Sequence, residues 1–248
     1  MSGPWGSHFL IDGASGGPIQ LGQTDASSFR VESRIEFIGD MGLPSEKYPH
    51  ITDEMREKAS VLEPGETSDL ASVPPFVRWF ADPYGAYTPA ALIHDKLIVD
   101  VPNGGALGDD AASDRYFRFM LESVGEPFFK RWIMWAAVAL RTRWAVGGWR
   151  RLLLFVWLVL ATIGIASFVS AVVDLVADTG TLFDVAPWNL RGISVVTPGV
   201  AGALWGKQWG ASLVAAVAAP WILPPTILAV AGTVIYLALE QLGRIFDW

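Results

Sequence analysis

The chain has 248 residues, no cysteine and a formal net charge of −7, a length that suits one medium domain with an additional segment. The lack of cysteine excludes thiolate zinc sites and disulfide frameworks, and the acidic balance argues against nucleic acid as a partner. Hydrophobic residues make up 52% of the sequence and the mean hydropathy is +0.36, both high for a soluble protein.

The front of the chain shows little regular patterning. Residues 1–30 are rich in glycine and serine, which predicts a flexible or irregular lead-in. From Val31 to Ile38 apolar and charged residues alternate, as is typical of a short half-buried strand. Val61-Leu62 is a second candidate strand.

Three helices are predicted next. Thr88-Pro89 indicates a helix start, with a hydroxyl cap followed by proline where its missing N–H costs nothing. Asp109 begins a second helix, which Gly125 ends. The third, over residues 127–144, mixes bases with large apolar residues. Two interpretations of it are open: a helix in the membrane interface, or a core helix of the soluble domain.

An ionisable cluster lies on the first two of these helices. His94 stands among apolar residues, so it is expected to face the interior, where a helix hairpin would bring Asp114 alongside it. A carboxylate bonded to one imidazole nitrogen leaves the other as a base near neutral pH. Asp95 points about 100° away around the helix and is free to bind a hard cation such as calcium. The alternative is a buried structural histidine, with Asp95 in solvent.

Two long apolar runs dominate the second half of the chain. Residues 152–173 and 211–239 are runs of 22 and 29 residues without a charge, and about 20 apolar residues cross the hydrocarbon core of a bilayer. They predict a two-helix transmembrane hairpin. Because Pro225 would interrupt the hydrogen-bond ladder of the second run, this segment is either a proline-kinked span or a re-entrant segment with a shorter helix.

Charge placement predicts the orientation of this hairpin. Residues 1–125 hold 19 acids and 9 bases, whereas residues 126–151 hold 1 acid and 6 bases. Lys and Arg close to a spanning helix stay on the cytoplasmic side. The soluble domain and both termini are therefore expected on the cytoplasmic side of the inner membrane, and the loop 177–208 on the far side.

Four segments of the soluble part form an ordered set of motifs. They are Thr67 to Pro75, Thr88-Pro89-Ala90-Ala91-Leu92-Ile93-His94-Asp95, Ala112-Ser113-Asp114-Arg115-Tyr116-Phe117 and Lys130-Arg131-Trp132-Ile133-Met134. In this order and spacing, over about residues 31–145, they resemble the uncharacterised family catalogued as domain of unknown function 1353, which is found in phage and bacterial genomes. The resemblance implies a shared fold, and the family brings no established activity with it.

The helix pair alone is similar to the catalytic helices of calcium-dependent phospholipases of the A-two type. This resemblance implies that His94 is the base that activates water, that Asp114 orients it and that Asp95 binds calcium. Asp69 would stand in for part of the glycine-rich calcium loop, which is not recognisable here. The disulfides are also absent, and Ile98 occupies the place of an expected tyrosine.

These patterns predict a helix-dominated α+β domain followed by the transmembrane hairpin. The expected segments are the lead-in (1–30), the soluble domain (31–145), the first span with its basic flank (146–176), the connecting loop (177–208), the kinked second span (209–240) and a tail (241–248). The expected partner is the lipid bilayer. Three functions are open: a membrane-tethered hydrolase using His94 and Asp114, a non-enzymatic phage lysis or assembly factor, and a module that recruits a cytoplasmic protein.

Overall fold

The computed structural model describes residues 8–25, 28–68, 85–100, 106–177 and 202–246. Its contacts divide the chain into two compact units, Met1–Val73 with Ala81–Arg151, and Pro74–Phe80 with Leu152–Trp248. The first unit contains strands and helices, which makes the fold α+β as predicted.

Two small antiparallel sheets lie in the first unit. One has the order β2-β1-β5-β6, with β1 at Phe9–Ile11, β2 at Ala14–Ser15, β5 at Ile35–Phe37 and β6 at Val61–Leu62. The other has the order β3-β4-β7, with β3 at Leu21–Gln23, β4 at Phe29–Val31 and β7 at Thr67–Ser68. Phe9 pairs with Phe37 and Ile11 with Ile35, and all four side chains are buried. The outer positions of β1 and β5 therefore point into the core.

The strands correct two expectations from the sequence. The irregular lead-in predicted for residues 1–30 does not hold from Phe9 onward, because β1 lies there with Phe9 fully buried. The single strand predicted from Val31 to Ile38 is split, since Val31 ends β4 in one sheet and β5 belongs to the other. Strands of two or three residues are too short for a two-residue period to be recognised. The strand predicted at Val61-Leu62 is present.

Four helices are found in the described residues of the first unit. They are α1 (Asp53–Ser60), α2 (Thr88–Asp100), α3 (Asp110–Ser123) and α4 (Phe128–Val146). Helix α2 begins at the predicted Thr88-Pro89, and α3 is capped by Asp109, whose carboxylate accepts a hydrogen bond from the backbone N–H of Ala111. The Asp109 cap satisfies a backbone donor that a helix leaves open at its start. The hydroxyl of Thr88 does not cap α2 as predicted: it accepts from the backbone N–H of Gly85 and donates to the Gly85 carbonyl.

Helix α4 is a core helix along most of its length. Met134, Trp135 and Ala139 are buried on it, and it packs against α3. The structure therefore favours the core interpretation over a helix that lies entirely in the membrane interface. Its first turn is different: Phe128 and Phe129 remain exposed.

The described residues of the second unit are helical. Helix α5 (Gly148–Ala177) enters it, and a 3-10 turn (Ala203–Gln208) leads into α6 (Trp209–Phe246), which continues through Pro220, Pro224 and Pro225. Among the described residues, the segment Pro224–Leu242 is long and apolar enough to cross a membrane, with a mean hydropathy of 1.5. Helix α5 covers the first predicted span, but the side chains of α5 at residues 165, 168–172 and 174–177 lie outside the described ones.

Candidate functional site

Helices α2 and α3 pack against each other and bring His94 and Asp114 together. Nε2 of His94 lies 2.8 Å from Oδ1 of Asp114, and the two residues are 4% and 0% exposed. His94 faces inward because its neighbours Ile93 and Leu97 are core residues of the same helix. The contact that the sequence predicted is therefore a buried, hydrogen-bonded pair.

Asp114 has a second partner, on α4. Thr142, which is buried, donates a 3.0 Å hydrogen bond to the same Oδ1 atom. The ring of Phe117 covers the imidazole at a centroid distance of 4.9 Å. Three helices and one aromatic ring thus fix the position of the pair.

The electrostatics of the pair are dominated by burial. Burial raises the pKa of the Asp114 carboxyl above its ordinary value, because the charged form loses its water. The hydrogen bonds of His94 and Thr142 lower this pKa, and the nearby charge of Asp110 raises it further. Asp110 is itself paired with Arg150. The net direction is a rise, so the buried Asp114 carboxyl is harder to ionise than an exposed one.

Asp95 follows His94 on α2 but has other partners. Oγ of Ser68, in β7, donates a 2.6 Å hydrogen bond to Oδ2 of Asp95, and Nη1 of Arg141, in α4, lies 3.7 Å from Oδ1. Asp95 is only 8% exposed, so the alternative that places it in solvent is wrong. A guanidinium beside this carboxylate opposes the binding of a cation.

The predicted metal site is not assembled by the described residues. Asp69 lies outside them, as does the rest of its motif up to Pro75. Within the described ranges, no group of three or more His, Cys, Asp or Glu side chains is placed to hold a metal ion. Because calcium takes six to eight oxygen ligands, the described surroundings of Asp95 do not fit a calcium site.

Sequence reasoning missed Arg141 and Thr142. They are consecutive on α4, as His94 and Asp95 are on α2, and each contacts one side of that cluster. The available signal was a threonine inside an otherwise apolar and basic helix, because a buried hydroxyl needs a hydrogen-bond partner. Which partner it has depends on the packing of three helices, which no local pattern contains.

Comparison with known proteins agrees with the motifs. Residues 46–138 match the model of a family described as protein of unknown function (DUF1353). The match includes His94, Asp95 and Asp114 and ends before Arg141. Neither the curated proteins nor the solved structures give a match. The resemblance inferred from the sequence is confirmed over residues 46–138 rather than 31–145: this segment of the chain matches the DUF1353 family model.

Proposed function

We propose that the protein is a membrane-anchored hydrolase in which His94 is the general base and Asp114 orients it. The observation that carries the proposal is the 2.8 Å contact between Nε2 of His94 and Oδ1 of Asp114. When Nε2–H donates to the carboxylate, the imidazole tautomer is fixed with its lone pair on Nδ1. Nδ1 is then the nitrogen that accepts a proton.

The proposed reaction is the hydrolysis of an ester. Nδ1 of His94 takes a proton from water while the water oxygen attacks the carbonyl carbon. The bond from that carbon to the leaving oxygen then breaks as the imidazolium returns the proton to this oxygen. Asp114 stabilises the imidazolium without reacting itself. The similarity of the helix pair to calcium-dependent phospholipases supports lipid esters as the first substrates, although the described residues do not fit calcium and no step here uses it.

A panel of esters tests this function. Full-length protein in detergent is given p-nitrophenyl esters of short and long acyl chains, and phospholipid vesicles. His94→Ala should abolish hydrolysis while the free energy of unfolding changes by about 1–2 kcal/mol, and Asp114→Asn should slow it by favouring the wrong tautomer. His50→Ala is the matched control, because the His50 side chain is 44% exposed and outside the pair. Wild-type protein that hydrolyses no ester, or full activity in His94→Ala, would contradict the proposal.

A second function is favoured by the depth of the pair. Asp114 is 0% exposed and His94 4% exposed, which also suits a purely structural contact. The protein would then be a non-enzymatic membrane protein, either a phage lysis or assembly factor or a module that recruits a cytoplasmic partner. Unfolding of both His94→Ala and Asp114→Asn, together with an inactive wild type, would favour this function.

Membrane attachment is supported by α6. The segment Pro224–Leu242 has none of its residues buried, which suits a helix surrounded by lipid. We further propose residues 152–173 as the first span of a hairpin, with the bases of residues 126–151 at the cytoplasmic face of the inner membrane. Removal of residues 152–248 should move the protein from the membrane fraction to the soluble fraction. Full-length protein that is soluble without detergent would overturn the anchor.

A further inference from the structure

We propose that the first turn of α4 is a bilayer-contacting surface, in which Phe128 and Phe129 enter the interface of the membrane that holds the anchor. The choice of a bilayer as the partner rests on the membrane attachment proposed above, whereas the experiment tests the surface and the anchor separately. The hydrolase proposal is independent of this inference.

The two phenyl rings form an exposed unit. Phe128 is 55% exposed and Phe129 is 78% exposed. Their centroids lie 5.5 Å apart at an interplanar angle of 85°, and Phe128 also contacts Trp132 at 5.6 Å. Single exposed apolar residues are ordinary, whereas these two rings adjoin and form one continuous apolar area on the surface.

The turn that carries these rings is held firmly. The backbone N–H of Arg131 donates to the carbonyl of Pro127 at 3.0 Å. Lys130 pairs with the buried Glu126 at 2.9 Å, and the guanidinium of Arg131 lies 5.4 Å from the ring of Phe128. The rings are therefore presented by a structured helix start, and little order has to be created on contact.

Charges near the rings are locally balanced. Glu126 neutralises Lys130, and Glu122 lies 3.1 Å from Arg131. Contact with the membrane should therefore depend on the two phenyl rings, since apolar side chains such as phenylalanine bury at the boundary of headgroups and acyl chains, and little on ionic strength.

A bilayer fits this surface better than a protein partner does. A stable protein interface buries about 800 Å² on each partner, much more than two phenyl rings provide. A bilayer has no such requirement here, because an anchor on the same chain holds the domain near lipid and raises the effective concentration.

The lack of cysteine allows a direct test. Phe129→Cys creates a single site for a nitroxide label in the full-length protein, reconstituted in vesicles of phosphatidylcholine and phosphatidylglycerol. Paramagnetic resonance then compares the accessibility of the label to oxygen, which concentrates in lipid, and to a nickel chelate, which stays in water. Val234→Cys, within Pro224–Leu242, reports on the anchor. Glu57→Cys, at an exposed position of α1, reports on solvent.

We expect the label at residue 129 to favour oxygen over nickel, between the values for residues 234 and 57, and at high salt as well. Adding Phe128→Ser should shift it toward the solvent value without changing the melting temperature. If the label at residue 129 is as accessible to the nickel chelate as the label at residue 57, the proposed bilayer contact is wrong. The same holds if the label at residue 129 is immobilised but shows no preference for oxygen. If the label at residue 234 is solvent-exposed while the label at residue 129 favours oxygen, the anchor is wrong and the bilayer contact is supported. If both labels are solvent-exposed, both proposals are wrong.

Discussion

Thr142 donates a hydrogen bond of 3.0 Å to Oδ1 of Asp114, the oxygen that His94 also contacts. Thr142→Val keeps the shape of the side chain and removes the donor. A buried acceptor that loses a donor costs about 1–3 kcal/mol, so we expect that loss in the free energy of unfolding. Thr142→Ser retains the hydroxyl and should stay closer to wild type. Urea unfolding followed by tryptophan fluorescence measures both, and equal stability of the two variants would contradict the role of the hydroxyl.

The raised pKa of Asp114 predicts how stability depends on pH. Its cause is burial, which favours the protonated carboxyl in the folded protein. The stabilising contribution of this group is therefore fully present below the unfolded pKa, about 3.9, and is lost as pH rises through the folded pKa. The stability of wild type relative to Asp114→Asn should accordingly fall as pH increases above about 4.

Unfolding midpoints of wild type and Asp114→Asn, measured at several pH values from acid to neutral, test whether this stability difference falls as pH rises. Asp53→Asn is the matched control, because it removes one carboxylate whose side chain is fully exposed on α1. A stability difference between wild type and Asp114→Asn that rises with pH would show that hydrogen bonding outweighs burial at this site.

The contacts of Asp95 predict that substitution of its two partners, Ser68 and Arg141, destabilises the protein unequally. Ser68 is buried and lies 2.6 Å from the carboxylate, whereas the Arg141 side chain is 51% exposed and 3.7 Å away. Ser68→Ala should therefore cost about 1.5–3 kcal/mol, and Arg141→Gln about 0–1 kcal/mol, as for an exposed ion pair. Thermal unfolding of the two variants compares them. A larger effect of Arg141→Gln would contradict this order.

Calcium binding at Asp95 is tested by the same thermal unfolding measurement. Because the described surroundings of Asp95 do not fit a calcium site, we expect added calcium to leave the melting temperature of wild type unchanged. A rise in wild type that Asp95→Asn abolishes would restore Asp95 as a metal ligand, and the ligands outside the described residues, Asp69 among them, would then need to be identified.

The basic flank before the first proposed span predicts the topology. Residues 126–151 carry 6 bases and 1 acid, so reporters fused at residue 1 and at residue 248 should both indicate the cytoplasm. A reporter inserted near residue 189 should indicate the far side. An external signal at residue 248 would mean that only one of the two apolar runs crosses, which is the result expected of the re-entrant alternative.

The elements that the sequence predicted are those with local signals. Thr88-Pro89 and Asp109 mark helix starts, and α2 and α3 begin there. The contact between His94 and Asp114 followed from inward-facing positions on neighbouring helices. In each case the information lies within a few residues, or in the short connection between two helices.

The elements that the sequence did not predict depend on distant partners. The strand at Phe9–Ile11 is stabilised by pairing with residues 35–37, and its three residues show no period of their own. The hydroxyl of Thr142 reaches a carboxylate 28 positions earlier. The sequence could not show that most of α4 is a core helix, because composition alone does not separate a helix that contacts lipid from one covered by its own domain.

Asp114 on α3 contacts one residue on α2 and one on α4, and this has a practical consequence for isolating the domain. The family match ends at residue 138, but α4 runs to Val146 and carries Thr142 in its last turns. A fragment trimmed to the family boundary would keep His94 and Asp114 while losing a donor to the shared carboxylate oxygen. Its folding and activity would then report on the cut rather than on the family, so expression boundaries should include the end of α4.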